Sequence, residues 1–165
     1  MKTSNKGIEI IKHFESLNDG DLNKIGLQPK RDCGGYMTVG WGHCLIKEDG
    51  SYCLNITDVE RYFSEYLSID ELFAEELLRQ DLIKVERQID SLGLQLNQNQ
   101  FDALVSFAFN VGFGNLLKST LLKRIKNIVN QPSIEACLTM WNKSKQITLK
   151  GLTLRRQAES NLYNS

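Results

Sequence analysis

The sequence changes character between residues 18–56 and the segments on either side. Residues 18–56 are interrupted at short intervals by glycine, proline and Asn-Asp or Asp-Gly pairs, which leave brief β-prone runs at 36–39 and 51–54. Short runs bounded by turn residues predict a small antiparallel sheet of about two to four strands. The other segments repeat apolar residues at helical spacing, which predicts an α+β, mainly helical chain. We expect a single domain over 1–165, with a sheet lobe at about 18–56 and a helical lobe of 57–165 plus a helix at 4–17.

Two capping-box patterns predict where the first helices after the sheet region begin. Thr57-x-x-Glu60 precedes one helix, and Ser68-x-x-Glu71 opens a long helix that runs to about Leu92. The second helix is long enough to connect two lobes. Such a helix could bridge the sheet lobe and the helical lobe.

A third capping pattern, Asn97-x-x-Gln100, opens a helix at 101–109. This segment is apolar nearly all round, as expected for a helix in the centre of a helical core. Further helices are predicted at 115–129, 133–142 and 151–163, after a loop at 110–114.

Charge and hydropathy argue against several classes of function. The formal net charge is +0, so nothing indicates binding to a polyanion such as nucleic acid. No apolar run reaches the ~18 residues of a membrane span, and the polar residues 2–7 do not match an export signal. We therefore expect synthesis in the cytoplasm without a signal peptide and without membrane insertion.

Three of the four cysteines lie in the sheet region, at Cys33, Cys44 and Cys53. Cys44 and Cys53 flank a probable turn at 48–51, so they are predicted to face each other across a hairpin. Free thiols are expected because no export signal is seen. The cysteines form no CxxC pair, so a structural zinc site is not expected, and neither a metal nor another cofactor is predicted.

Glu15, Asp32 and Thr38 are the candidate catalytic residues. Cleavage of a glycosidic bond requires a proton on the leaving oxygen and a nucleophile at the sugar carbon. Glu15 ends an apolar helical stripe beside Phe14, where lost hydration would favour the protonated form that an acid needs. Asp32 lies among glycines and polar groups, where it is expected to stay ionised. Thr38 follows six positions later, so its hydroxyl can lie across a tight turn and hold a water with Asp32.

Each of these residues also has an ordinary structural explanation. A glutamate late in a helix is usually solvated or salt-bridged, and an aspartate before Gly-Gly is usually a turn residue. A threonine in a strand reflects β-propensity. Only the ordered set is specific.

The ordered set resembles the phage-type lysozymes, glycoside hydrolase family 24, the endolysins of tailed bacteriophages. Their signature is a helical "FE" glutamate, then Asp or Cys, then Thr six residues later in a "TxGxGH" strand. This chain has Glu15, Asp32 and TVGWGH at 38–43. Later blocks resemble the family in the same order: QFDALVSFAFNVG at 100–112, STLL at 119–122, Trp141, and KGLTLRRQAE at 150–159.

The resemblance implies a lysozyme-like fold and hydrolysis of the β-1,4 bond between N-acetylmuramic acid and N-acetylglucosamine in peptidoglycan. Glu15 would be the proton donor, and Asp32 with Thr38 would position or activate the attacking water, which is an inverting arrangement. It also implies a monomer that acts on the cell wall during host-cell lysis, after release through a holin-type pore.

The interval between Glu15 and Asp32 is longer than in the family. Sixteen residues lie between them here, against about eight in the family. The extra segment, at about 20–29, is expected to form an added hairpin or loop, which costs little in stability. Asp19 and Asp21 lie nearer the family spacing, but neither has a threonine six positions later, so Asp32 is preferred.

Other residues near the site are predicted to bind substrate or to support the site. Tyr36 and Trp41 are candidates for the lining of a sugar cleft, although aromatic residues of a small sheet also pack in cores. His43 is expected to hold backbone rather than substrate. The remaining candidates are Phe109 and Asn110 on the opposite wall, Arg155 or Arg156 facing Glu15 or Asp32, and Gly40 and Gly42 as structural residues.

Two other functions compete with hydrolysis. A lytic transglycosylase cleaves the same bond without water and relies mainly on one glutamate, so the presence of Asp32 and Thr38 favours hydrolysis. A binding module that kept the fold and lost catalysis would lack the acid or the base, and both candidates are present.

Overall fold

The computed structural model describes residues 1–15, 17, 26–32, 34–128, 133–144 and 146–165. The chain forms two compact units, one of residues 1–14 with 82–165 and one of residues 15–81. The sequence predicts a sheet lobe at about 18–56, and the smaller unit of the structure is longer, from residue 15 to residue 81. Cys33 and most of the 20–29 segment lie outside the described residues, so the expectations for them stay untested.

The described residues contain eight α-helices and five short strands. The helices are α1 (Asn5–Glu15), α2 (Ile56–Tyr62), α3 (Glu71–Asp90), α4 (Gln98–Val111), α5 (Phe113–Lys118), α6 (Thr120–Asn127), α7 (Ser133–Thr139) and α8 (Lys150–Tyr163). The strands are β1 (Lys30–Arg31), β2 (Met37–Val39), β3 (His43–Cys44), β4 (Lys143–Ser144) and β5 (Ile147–Thr148). Within these ranges no helix is both long and apolar enough to span a membrane.

A three-stranded antiparallel sheet in the order β1-β2-β3 forms the predicted sheet region. Thr38, at the middle of β2, is opposite Lys30 on one side and Cys44 on the other. The predicted run at 51–54 is not a full strand, but it joins the sheet through two backbone bonds. Met37 N–H donates to the Cys53 carbonyl at 2.8 Å, and Cys53 N–H donates to the Leu45 carbonyl at 2.9 Å.

Cys44 and Cys53 are free thiols, as expected. Cys53 is buried and Cys44 is half-buried. Burial raises the pKa of both thiols, which disfavours the reactive thiolate form.

The capping box that opens α4 is confirmed. The Asn97 side chain accepts from Gln100 N–H at 2.8 Å, and the Gln100 side chain accepts from Asn97 N–H at 3.0 Å. Every residue from Gln100 to Ala108 is buried, as the all-round apolar pattern predicted. The helix packs most extensively against α8, so it lies at the centre of the larger unit.

The other two capping predictions are wrong by two residues. Asn55 caps α2 by accepting from Asp58 N–H at 2.9 Å, so Thr57 lies inside the first turn. Asp70, not Ser68, accepts from Phe73 N–H at 2.7 Å at the start of α3. Asparagine and aspartate are at least as good as serine and threonine at this position, and in both helices they lie directly before the first helical residue.

The helices after α4 also differ from the prediction. Helix α4 continues to Val111 and α5 begins at Phe113, so the predicted loop is reduced to Gly112, whose φ of +87° stops the first helix. The single helix expected at 115–129 is two helices, because Ser119 leaves the helical conformation and caps α6 through Leu122 N–H at 3.0 Å. Helix α7 ends at Thr139, and the β4-β5 hairpin that follows was not predicted.

Candidate functional site

Glu15 is the last residue of α1. This helix buries Gly7, Ile8 and Ile11, which anchors the apolar stripe seen in the sequence. Lys12 and His13 lie in its last turn, where positive charge favours the negative end of the helix dipole. Glu15 itself is half-buried, at the start of the unit that holds the sheet.

Asp32 follows β1 directly and closes the turn that leads into β2. Its N–H donates to the Tyr36 carbonyl at 2.8 Å, and its Oδ1 accepts from Tyr36 N–H at 2.8 Å. Gly35 N–H donates to the Asp32 carbonyl at 3.1 Å, inside the same turn. The side chain is exposed, so the turn fixes its orientation and leaves it in contact with water.

Thr38 lies two residues beyond this turn, at the centre of the sheet, and is 3% exposed. Its hydroxyl donates to the Lys30 carbonyl at 3.2 Å. The hydroxyl proton is therefore donated within the sheet. The turn and the strand register bring Asp32 and Thr38 into one hairpin.

The other candidates of the sheet region occupy different environments. Tyr36 is exposed, and its ring centre lies 4.4 Å from that of Tyr52. Trp41 is 4% exposed, so the indole is part of the core, the second of the two roles considered for it. Gly40 and Gly42 have φ of +61° and +84°, which only glycine adopts without strain and which the tight connection from β2 to β3 requires.

His43 is held by a carboxylate from α3. Its Nδ1 lies 3.0 Å from Asp81 Oδ2 and 3.1 Å from Oδ1, with both residues half-buried. This contact ties β3 to the long helix, and the partner is a carboxylate rather than the backbone group that was expected. Asp81 was missed because 38 residues separate the pair and no local pattern links them.

The candidates of the helical region lie in the other unit. Phe109 is half-buried and Asn110 is exposed, at the end of α4. Asn110 Oδ1 accepts from Arg156 Nη2 at 3.0 Å. The Arg156 side chain therefore orients the Asn110 side chain.

Arg155 and Arg156 are both buried and share Glu159, which was not among the predicted site residues. Glu159 Oε1 accepts from Arg155 Nε at 3.2 Å, from Arg156 Nη2 at 2.9 Å and from Ser106 Oγ at 2.7 Å. Burial raises the pKa of Glu159, and the two guanidinium groups oppose that rise. The contact could have been predicted, because Glu159 follows Arg155 by four residues and Arg156 by three, and residues at these spacings share a helix face.

Comparison with known proteins gives a consistent result. Residues 21–159 match the family model described as Phage lysozyme. An endolysin of Acyrthosiphon pisum secondary endosymbiont phage 1 is 33% identical over 100% of this chain and 99% of its own length. An endolysin of Bacillus phage B103 is 34% identical over 99% of this chain, but this chain spans only 54% of that protein.

Solved structures show the same likeness. A mutant of P22 lysozyme is 30% identical with a TM-score of 0.75, covering 100% of this chain and 99% of that one. The muramidase domain of SpmX from Asticaccaulis excentricus is 29% identical with a TM-score of 0.74, covering 99% and 98%. These matches confirm the predicted fold class, mainly helical with a small antiparallel sheet, and the predicted family resemblance.

Proposed function

This chain belongs to the phage lysozyme family, a family of glycosidases, and on that premise we propose that it hydrolyses peptidoglycan during host-cell lysis. The bond cleaved is the β-1,4 bond between N-acetylmuramic acid and N-acetylglucosamine. The proposal depends most on one observation: Glu15, Asp32 and Thr38 belong to the same compact unit, with Asp32 and Thr38 on one hairpin. A solved neighbour named a muramidase domain supports the choice of bond.

Each of the three residues has a distinct role in the proposed reaction. Glu15 gives its proton to the leaving glycosidic oxygen. Asp32, oriented by Tyr36 N–H and exposed to solvent, takes a proton from the attacking water. Thr38, whose own proton is donated to the Lys30 carbonyl, positions that water together with Asp32. The water oxygen then bonds to the sugar carbon as the glycosidic bond breaks, which inverts its configuration.

The acid is tested by Glu15→Gln, which keeps the size of the side chain and removes its proton. We expect about a 100- to 10,000-fold slower clearing of a Gram-negative cell-wall suspension. Glu9→Gln is the matched control, since Glu9 lies on the same helix with a side chain 68% exposed. The control should clear walls at the wild-type rate. Equal clearing by Glu15→Gln, with both variants folded, would show that Glu15 is not the acid.

The reaction type is tested by mass spectrometry of the digested peptidoglycan. Hydrolysis gives reducing sugar ends, whereas a lytic transglycosylase gives 1,6-anhydro ends. Asp32→Asn should strongly reduce hydrolysis, since the base that takes the water proton is removed. If only anhydro ends are found, the protein is a lytic transglycosylase and not a hydrolase. If it binds cell walls and cleaves nothing, it is a catalytically inactive peptidoglycan-binding homologue.

The route to the cell wall is a further part of the proposal. We expect a monomer that reaches the wall after release through a holin-type pore. Expression in the bacterial cytoplasm should leave cells intact until such a pore is co-expressed. Some relatives, such as one from Bacteriophage PS119 that is 34% identical, are named SAR-endolysins, and lysis without a pore would favour a route of that kind.

A further inference from the structure

Tyr36 and Tyr52 form a tilted pair of exposed rings in the sheet region. Their ring centres are 4.4 Å apart, with an angle of 33° between the planes. Tyr36 is 37% exposed and Tyr52 is 42% exposed. The two rings therefore hold each other in one orientation while part of each remains open to solvent.

The backbone explains why both rings point outward. Met37 N–H donates to the Cys53 carbonyl, so residues 37 and 53 lie on neighbouring extended segments. Met37 is 5% exposed and Cys53 is fully buried, so these side chains point into the core. Because side chains alternate along extended backbone, the preceding residues Tyr36 and Tyr52 point the opposite way.

Neighbouring groups extend and brace this aromatic surface. Leu54 continues the outward alternation and is 51% exposed. Arg31 Nη2 donates to the Leu54 carbonyl, which ties β1 to the segment that carries Tyr52. Exposed apolar groups that lie together, rather than singly, are typical of binding surfaces.

The surface is directly continuous with the proposed base. Tyr36 and Asp32 exchange two hydrogen bonds, each 2.8 Å, through the Tyr36 carbonyl and N–H. A β-1,4-linked pyranose ring with equatorial substituents presents axial C–H groups on its faces, which complement the electron-rich face of an aromatic ring. Since the two rings already order each other, binding of a sugar on them costs little additional side-chain entropy.

We propose that Tyr36 and Tyr52 form a sugar-binding subsite for the glycan strand, with Tyr52 as a substrate-binding residue. The proposal rests on the proposed hydrolase function and deepens it. The occupant is an N-acetylhexosamine ring of the strand on the Asp32 side of the cleaved bond. Tyr52 affects the affinity of the polymer, and it does not take part in proton transfer.

Binding is measured with an N-acetylglucosamine hexamer and with purified glycan strands, by calorimetry, in the Glu15→Gln background so that no cleavage occurs. We expect Tyr52→Ala to raise the Kd about 5- to 10-fold, the loss of one aromatic contact. Tyr52→Phe should retain nearly wild-type affinity because it keeps the ring. Tyr62→Ala is the matched control, since Tyr62 is 47% exposed in the same unit, and it should not change the Kd.

The kinetic readout separates a subsite from a purely structural pair. In the otherwise wild-type enzyme, Tyr52→Ala should raise KM for soluble glycan strands with kcat changed less than about twofold. An unchanged Kd in Tyr52→Ala, equal weakening by Tyr62→Ala, or failure of Tyr52→Phe to restore affinity would overturn the subsite, and so would absence of any binding. A Glu15→Gln enzyme that still clears walls would instead refute the catalytic assignment, independently of the Kd results.

Discussion

Glu159→Gln is expected to be among the most destabilising single changes in the larger unit. The Glu159 carboxylate lies between two guanidinium groups, and its side chain and that of Arg156 are completely buried, while Arg155 is 3% exposed. Glutamine keeps the shape of the side chain but removes the negative charge. The change therefore removes from both buried guanidinium groups the negative charge that Glu159 supplies.

The size of the effect follows from the burial. Removing one partner of a buried ion pair costs about 3–5 kcal/mol, because the remaining charge stays desolvated and unpaired. The free energy of unfolding of a natural domain is only about 5–15 kcal/mol. For a chain of this length each kcal/mol shifts Tm by about 2–4 °C, so Tm should fall by roughly 6–20 °C.

Urea unfolding followed by far-UV circular dichroism measures the loss. The matched control is Glu9→Gln, whose carboxylate is 68% exposed and lies 3.4 Å from Lys12 Nζ. An exposed pair of this kind contributes little, so the control should change the free energy of unfolding by less than about 0.5 kcal/mol. A loss below about 1 kcal/mol in Glu159→Gln would refute the reasoning.

A triple variant separates charge from packing. Arg155→Met, Arg156→Met and Glu159→Leu together remove all three charges and keep similar volume. Replacement of a buried ionic group by apolar residues is often neutral or stabilising, so the triple variant should be more stable than Glu159→Gln. If the triple variant is equally destabilised, packing and not unpaired charge determines the loss.

Two further predictions concern the smaller unit. Gly40→Ala should cost about 2–4 kcal/mol in thermal unfolding, because φ is +61° and the added Cβ would lie 2.9 Å from Ala74 Cβ. At Gly42 φ is +84° and no atom lies within 4 Å of the added Cβ, so Gly42→Ala should lose only the stability that the positive φ costs. Equal losses of stability in the two variants would contradict a steric clash between residue 40 and Ala74. Asp58 has a lowered pKa, chiefly through the hydrogen bond from Leu54 N–H. The contribution of Asp58 to the free energy of unfolding is present above the unfolded pKa and disappears as pH falls through the lower folded pKa. Asp58→Asn should therefore destabilise the protein near neutral pH and have little effect at about pH 2. A difference in stability that does not change with pH would contradict this.

Local patterns predicted the parts of the fold that depend on neighbouring residues. The capping box at Asn97 and Gln100 was recognisable because both hydrogen bonds form within three residues. The burial of α4 followed from its all-round apolar face. The Asp32–Thr38 hairpin was predictable because turn residues and strand alternation act over a few positions. Where two caps competed within a few residues, as at Asn55 and Thr57, the local pattern was ambiguous.

The sequence by itself therefore determined the fold class, the family and the three candidate catalytic residues. Only the tertiary structure decided which side chains those residues and their neighbours contact. Asp81 reaches His43 across 38 residues, and Tyr52 reaches Tyr36 from a segment that was predicted only as a strand. Helix and strand periodicities report which face is buried, but they carry no information about which distant face packs against it. The partners of buried charges and exposed rings are therefore set by packing over long sequence separations.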